Sequence, residues 1–242
     1  MINIMIPMAG EGRRFQEAGY VRPKPFIDVR GVSMIERVLE NLFCDNARFI
    51  LLARAEHLAK ERAIIHAIEN KYDIVIIPVK KLTEGMVSTI LLGRELIDNE
   101  NQMLIASCDQ LIDVPIKDFL EDAEARNLEG SLMTFYATHP KWSYVRLGSD
   151  DLATEVREKE PISTHANVGI YYYRQGKKFV KASLAMIEKN ERVNNEFYVA
   201  PTFNYPINDG ARVGIFEIQK SQMHALGTPE DLEEFLNSAG AC

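Results

Sequence analysis

The chain has 242 residues, 46% hydrophobic and 26% charged, with 28 Lys and Arg against 35 Asp and Glu for a formal net charge of −7. That length suits one sizeable core and that composition a globular protein, while the negative balance disfavours nucleic acid or an anionic membrane as partner. Cys44, Cys108 and Cys242 have no metal-ligand spacing, their odd number argues against a disulfide framework, and the lack of a signal pattern or a long apolar run makes a cytoplasmic protein the expectation.

In chain order, strand-like apolar runs are expected at residues 2–6, 49–53, 74–79, 103–106, 132–137 and 168–173. Helical periodicity is expected at 34–43, 56–69, 87–96 and 116–125. This alternation predicts a three-layer α/β fold, a predominantly parallel mixed sheet with helices on both faces. Past residue 130 the strand-like segments crowd together, at 130–138, 143–147, 152–157, 167–173 and 212–218, and predict an antiparallel extension. No linker, repeat or low-complexity segment interrupts the chain, so a single domain over 1–242 is expected.

The first strand runs into Gly10-Glu11-Gly12, followed by Arg13 and Arg14 and then by Pro23-Lys24-Pro25. A glycine loop after a strand exposes backbone N–H groups, and with a fixed Arg and Lys they form a pocket for a polyphosphate. The same glycines would also suit an ordinary strand–helix turn, since the loop has neither the third glycine of a dinucleotide fingerprint nor the Gly-Lys-Ser/Thr of a P-loop. The two prolines would suit a rigid linker, but that rigidity also holds one lysine in one place. Leu104 to Gln110 reads as a buried strand delivering Asp109 at its end. Asp109 is either a turn cap or a hard oxygen ligand for Mg²⁺. Cys108 reads as a small core residue, with no histidine beside it to make a nucleophile. Ligands of open parallel sheets bind at the carboxyl ends of strands, where Gly10, Gly85 and Asp109 can face one crevice.

Together these residues resemble the sugar-phosphate nucleotidylyltransferases, with matches from residue 2 to about residue 236. The resemblance implies a GT-A/Rossmann-like nucleotidyltransferase fold, with a nucleotide-binding half at 1–127 and an acceptor-binding half at 128–242. It implies that Ala9, Gly10, Glu11, Gly12 and Arg13 cradle a nucleoside triphosphate, that Arg14 and Lys24 are catalytic, and that Asp109 is the Mg²⁺ ligand. Thr83-Glu84-Gly85 is similar to the loop against the nucleobase, which implies nucleotide contacts for Thr83 and Gly85. Glu158-Lys159-Glu160-Pro161 resembles the Glu-Lys-Pro segment whose lysine meets the acceptor phosphate. Asn167-Val168-Gly169-Ile170-Tyr171 resembles the following strand, and Glu196 falls in the sugar-contacting region. The implied acceptor set is therefore Glu158, Lys159, Asn167, Gly169 and Glu196. Gly227-Thr228-Pro229 resembles the terminal segment of the family.

The departures from the family pattern are specific. Ala225 stands where the family usually carries a second metal-binding aspartate, two residues before Gly227. Another carboxylate is expected to replace it, with Glu217 and Asp209 the first candidates, or the ion keeps more water. Arg13 replaces a usual threonine and adds positive charge at the phosphates. Trp142 reads either as a ligand-stacking ring or as a packing anchor.

The implied reaction joins a nucleoside triphosphate to a phosphorylated sugar or similar small molecule, releasing pyrophosphate. The acceptor phosphate is already an anion, so positioning and charge neutralisation carry the catalysis, and the sequence offers cations and a metal ligand rather than a Ser-His pair. Two other classes stay open. A GT-A glycosyltransferase would show Asp-x-Asp in mid-chain, a spacing that Asp109 and Asp113 lack. A non-catalytic nucleotide or sugar-phosphate sensor would fit the missing aspartate. Homo-oligomerisation is left open.

Overall fold

A computed structural model of the chain describes residues 1–238. Ile2–Met8 is the central strand, running parallel to Ala47–Arg54 on one side and to Gln102–Ala106 on the other. Ala47–Arg54 is flanked in turn by Ile74–Val79, also parallel. Alternate residues of the central strand enter opposite cores, Ile4 and Ile6 on one face and Met5 on the other. Burial on both faces explains why this strand reads as one continuous apolar run rather than an alternation.

The antiparallel extension begins where His165–Tyr173 pairs with Gln102–Ala106. His165–Tyr173 also pairs antiparallel with Gly130–Tyr136 and Ser143–Leu147, and the latter carries the edge strand Ala153–Glu158. Val213–Ile218 then adds in parallel to Gly130–Tyr136. The result is one mixed nine-stranded sheet that runs without interruption across residue 127, the expected boundary of the two halves.

Two expected helices are broken. The expected helix over 56–69 is two, Ala55–Lys60 and Arg62–Glu69, which bury different side chains, His57 and Ile68. The expected helix over 87–96 consists of Met86–Ile90, a tight 3₁₀ turn Leu91–Gly93 and Arg94–Ile97. The cause is close contact with the sheet: a Cβ on Gly93 would lie 2.6 Å from Ile77 Cδ1. Helices Gly176–Glu188 and Pro229–Asn237 were not among the sequence expectations. No helix among the described residues is long and apolar enough to cross a membrane. Cys242 lies outside the described residues, while Cys44 and Cys108 are free thiols. Burial pushes the Cys108 thiol up to about 12, in keeping with a core residue rather than a nucleophile. Trp142 packs edge-on against Phe135, ring centroids 5.1 Å apart, so it is a packing anchor.

Candidate active site

The carboxyl ends of the parallel strands open into a cleft of about 580 Å³. Ala9, Gly10, Glu11, Gly12, Arg13, Arg14, Lys24, Thr83, Gly85, Asp109 and Glu196 all line it. A broader depression of about 1000 Å³ lies at the opposite ends of the strands, around Asn41, Asn101 and Gln102, and Glu40, Asp45, Glu100, Glu121 and Glu124 make its wall acidic. Charge of that sign is unsuited to a polyphosphate, so the smaller cleft is the candidate site.

One side of the cleft is built by the loop after Ile2–Met8. Gly12 has φ +65, and a Cβ there would sit 3.2 Å from Lys24 Cβ. A glycine is therefore required to turn the loop and to let Lys24 close against it. Pro23 and Pro25 bracket Lys24, which begins the 3₁₀ turn Lys24–Phe26. The Lys24 ammonium forms an ion pair and hydrogen bond with Asp109 Oδ2. Burial alone would lower the Lys24 pKa, but the Asp109 carboxylate reverses that and holds it above its ordinary value. Arg14 is exposed on the first turn of Arg13–Glu17, close enough for its charge to oppose that of Lys24. Arg13 instead pairs with Glu11 at 2.7 Å, with 72% of its side chain exposed, so Glu11 offsets its charge.

Gly85 has φ +112, and a Cβ there would come within 2.7 Å of both N and O of Phe197. No other residue fits. The loop is tied internally, since the Thr83 and Thr89 hydroxyls lie 2.5 Å apart, one donating to the other, and both are within hydrogen-bond reach of the Gly85 carbonyl. It is also tied to the segment carrying Glu196: Phe197 N–H donates to Glu84 O at 2.8 Å, and Val87 N–H donates to Phe197 O at 3.1 Å.

The other residues expected on the acceptor side, Glu158, Lys159, Asn167 and Gly169, do not line the cleft. Glu158 ends the strand Ala153–Glu158, and Lys159 follows it with φ 59, a left-handed conformation uncommon for lysine. Lys159 Nζ donates to the Tyr198 hydroxyl at 2.7 Å, and Tyr198 lines the cleft. Asn167 and Gly169 sit at a bulge in His165–Tyr173, where Gly169 has φ +98 and a Cβ on it would lie 3.1 Å from Ser107 Oγ. Asn167 Oδ1 accepts from Gly169 N–H, while its Nδ2 is buried without a partner. Ser107 and Tyr198 are thus site residues that the sequence reading missed. Nothing in the local pattern distinguishes them from other polar residues, Ser107 lying just past the strand Gln102–Ala106 and Tyr198 just past the turn before Glu196.

Burial pushes the Glu158 carboxyl up to about 7, against the opposing pull of Lys159. It is neutral in both folded and unfolded chains below about pH 4.5, so the cost of burying its charge appears as pH rises from there and is complete above about pH 7. Glu158→Gln should therefore stabilise the protein by roughly 1–2 kcal/mol at pH 8 and by little at pH 4.5. Thermal melts of both proteins at the two pH values check this, and an equal difference at both would refute it.

The surroundings of Asp109, the expected metal ligand, are distinctive. Leu226 N–H donates to Asp109 O at 2.8 Å, and Met223–Ala225 pairs with Gln110–Ile112, so Ala225 stands opposite Gln110, beside Asp109. A Cβ on Gly227 would lie 3.3 Å from Asp109 Oδ2 and 3.6 Å from Asp231 Oδ2. Asp231 is on the first turn of Pro229–Asn237, where its N–H donates to the Thr228 hydroxyl at 3.1 Å. Glu217 and Asp209 are elsewhere, Glu217 paired with His165 at 2.6 Å and Asp209 with Lys181 at 3.1 Å. No group of three or more His, Cys, Asp or Glu side chains suited to a metal occurs among the described residues.

Comparison with known proteins agrees with this architecture. A nucleoside-diphosphate-sugar pyrophosphorylase from Vibrio cholerae RC9 superimposes with a TM-score of 0.84 at 21% identity, over 97% of this chain and 100% of that one. A candidate glucose-1-phosphate thymidylyltransferase from Bacillus anthracis, solved with sucrose, gives 0.80 at 17% identity, over 100% and 98%. The inositol-1-phosphate CTP transferase from T. maritima gives 0.73 at 14% identity, over 99% and 98%. At these identities the structures establish the fold, and family membership comes from the sequence: the family model described as nucleotidyl transferase matches residues 4–236. The chain belongs to the nucleotidyl transferase family.

Proposed function

We propose that this nucleotidyltransferase joins a nucleoside triphosphate to a phosphorylated sugar or similar small phosphorylated molecule, giving a nucleotide-activated product and pyrophosphate. The observation that carries the reading is a single cleft that gathers the glycine loop, Arg14, Lys24, Asp109, Thr83, Gly85 and Glu196. Lys159 does not line that cleft but is hydrogen-bonded to Tyr198, which does. The structural neighbours, which include a candidate glucose-1-phosphate thymidylyltransferase and an inositol-1-phosphate CTP transferase, support the acceptor class.

In this reading the backbone N–H groups of Gly10 to Arg13 hold the triphosphate, and Arg14 and Lys24 take up charge that builds on the pyrophosphate as it leaves. Thr83 and Gly85 form the floor under the nucleobase. Lys159 steers the acceptor phosphate, whose oxygen attacks the α-phosphorus in line, and Glu158, Asn167, Gly169 and Glu196 surround the rest of the acceptor. No protein base is needed, because the attacking phosphate is already ionised. The donor set fits Mg²⁺: the carboxylates of Asp109 and Asp231 flank Gly227, which presents no side chain between them. Mg²⁺, when bound, would supply charge neutralisation at the reacting phosphates.

Two protein carboxylates make a weak site for an ion that dehydrates reluctantly, so the triphosphate should bring the ion with it. Mg²⁺ should tighten nucleotide binding, and nucleotide should tighten Mg²⁺ binding by the same factor. Calorimetric titrations in both orders check this, and Asp231→Asn should shrink the factor. Tight Mg²⁺ binding to the free protein would contradict it. The function itself is tested by pyrophosphate release over a panel of triphosphates and sugar or polyol phosphates. Nucleotide binding without release for any pair would favour the sensor, which Ala225 keeps as the second reading.

A further inference from the structure

We propose that Tyr198 is a positioning residue that aims the Lys159 ammonium at the acceptor phosphate. This rests on the acceptor side of the function proposed above. A lysine side chain is a point charge on a flexible stem, so on its own it marks no position. Here both ends of Lys159 are held. Its backbone N–H donates to Trp142 O at 2.9 Å, and its φ of 59 fixes the direction in which the stem leaves the strand end. Its Nζ lies 4.6 Å from the centroid of the Tyr198 ring and donates to the Tyr198 hydroxyl at 2.7 Å. One of three N–H bonds is thereby used on a neutral oxygen, and two remain for phosphate oxygens. A phenol orients the ammonium without itself adding a negative charge to those of Glu158 and Glu196, which already act on Lys159.

Tyr198 is itself set in place. Asn194 and Asn195, φ 49 and 66, form a two-residue turn closed by reciprocal hydrogen bonds of 3.0 Å between Val193 and Glu196. Left-handed conformations at both central positions are those of the tight hairpin turn that asparagine tolerates. The hairpin is fastened to the nucleotide loop by an ion pair of 3.0 Å between Arg192 and Glu84, as well as by the backbone bonds of Phe197. The orienting hydroxyl is thus held by the same loop that is assigned to the nucleobase.

The test measures Lys159 directly, with inorganic phosphate as the probe. The whole protein is acylated under limiting acetic anhydride, with and without phosphate, and each lysine is quantified by peptide mass spectrometry. In the wild type, phosphate should slow acylation of Lys159 and leave Lys181 unaffected. Tyr198→Phe keeps the ring and removes only the hydroxyl. In that variant Lys159 should acylate faster and phosphate protection should fall about 5- to 20-fold, the loss expected for one charge-assisted hydrogen bond. With an acceptor found by the pyrophosphate panel, its KM should rise by a similar factor while kcat and the triphosphate KM hold. Unchanged acylation and protection in Tyr198→Phe would overturn the proposal, as would a wild type that phosphate does not protect. Protection that depends on Tyr198 in a protein that releases no pyrophosphate would refute the transferase chemistry and leave the positioning role standing. Equal rises in both KM values would show that Tyr198 only supports the fold of the hairpin.

Discussion

Lys24→Ala should lower kcat by about 100- to 1,000-fold with the fold intact, the loss expected when one preorganised charge is removed from a developing anion. Lys24 is wedged against Gly12 and held by Asp109, so it is in place before substrate arrives. It therefore pays little reorganisation cost on binding. Arg14→Ala should fall in the same range of kcat but differ in stability. Arg14 is exposed and its charge opposes that of Lys24, so its removal should leave the melting temperature unchanged or slightly higher. Removing Lys24 leaves Asp109 without its ion-pair partner and should cost a little stability. Steady-state kinetics and thermal melts of both variants check these outcomes, and near-wild-type kcat in either would remove that residue from the mechanism.

Asp109→Asn should abolish Mg²⁺-dependent turnover, and excess Mg²⁺ should not restore it. Asp109 lies in the turn between the strands Gln102–Ala106 and Gln110–Ile112, faces the cleft and has Ala225 beside it, with the Asp231 carboxylate across Gly227. Asparagine keeps the shape but removes the anionic oxygen that the ion requires. The variant also leaves the Lys24 ammonium half-buried without its counter-charge, which should cost roughly 1–3 kcal/mol in unfolding experiments. Asp113→Asn should be far milder, since Asp113 meets His224 at 2.9 Å, outside the cleft wall. Full activity of the Asp109 variant at high Mg²⁺ would show that the ligand assignment is wrong. Equal losses in the two variants would show that the effect is on folding.

How much was legible in the sequence follows from the range of the forces involved. The parallel strands were readable because a strand buried on both faces must be apolar at nearly every position, as Ile2–Met8 is. The glycine loop, Pro23-Lys24-Pro25 and Asp109 were readable because their constraints are local: a positive φ, fixed proline dihedrals and a carboxylate in the turn just past a buried strand. The helix over 87–96 misled because its periodicity is real, but Gly93 must meet Ile77 on a strand more than ten residues earlier. The hydroxyl that holds Lys159 comes from Tyr198, 39 residues further along. Likewise, the choice of Asp231 over Glu217 or Asp209 as the carboxylate near Asp109 depends on where the last helix starts relative to the strand end. Local chemistry by itself determined the alternation of strands and helices and the glycine-loop, Lys24 and Asp109 positions that line the cleft. Only the tertiary structure decided which distant side chains meet across the cleft, because that depends on sheet order and loop closure, which leave no periodic trace in the chain.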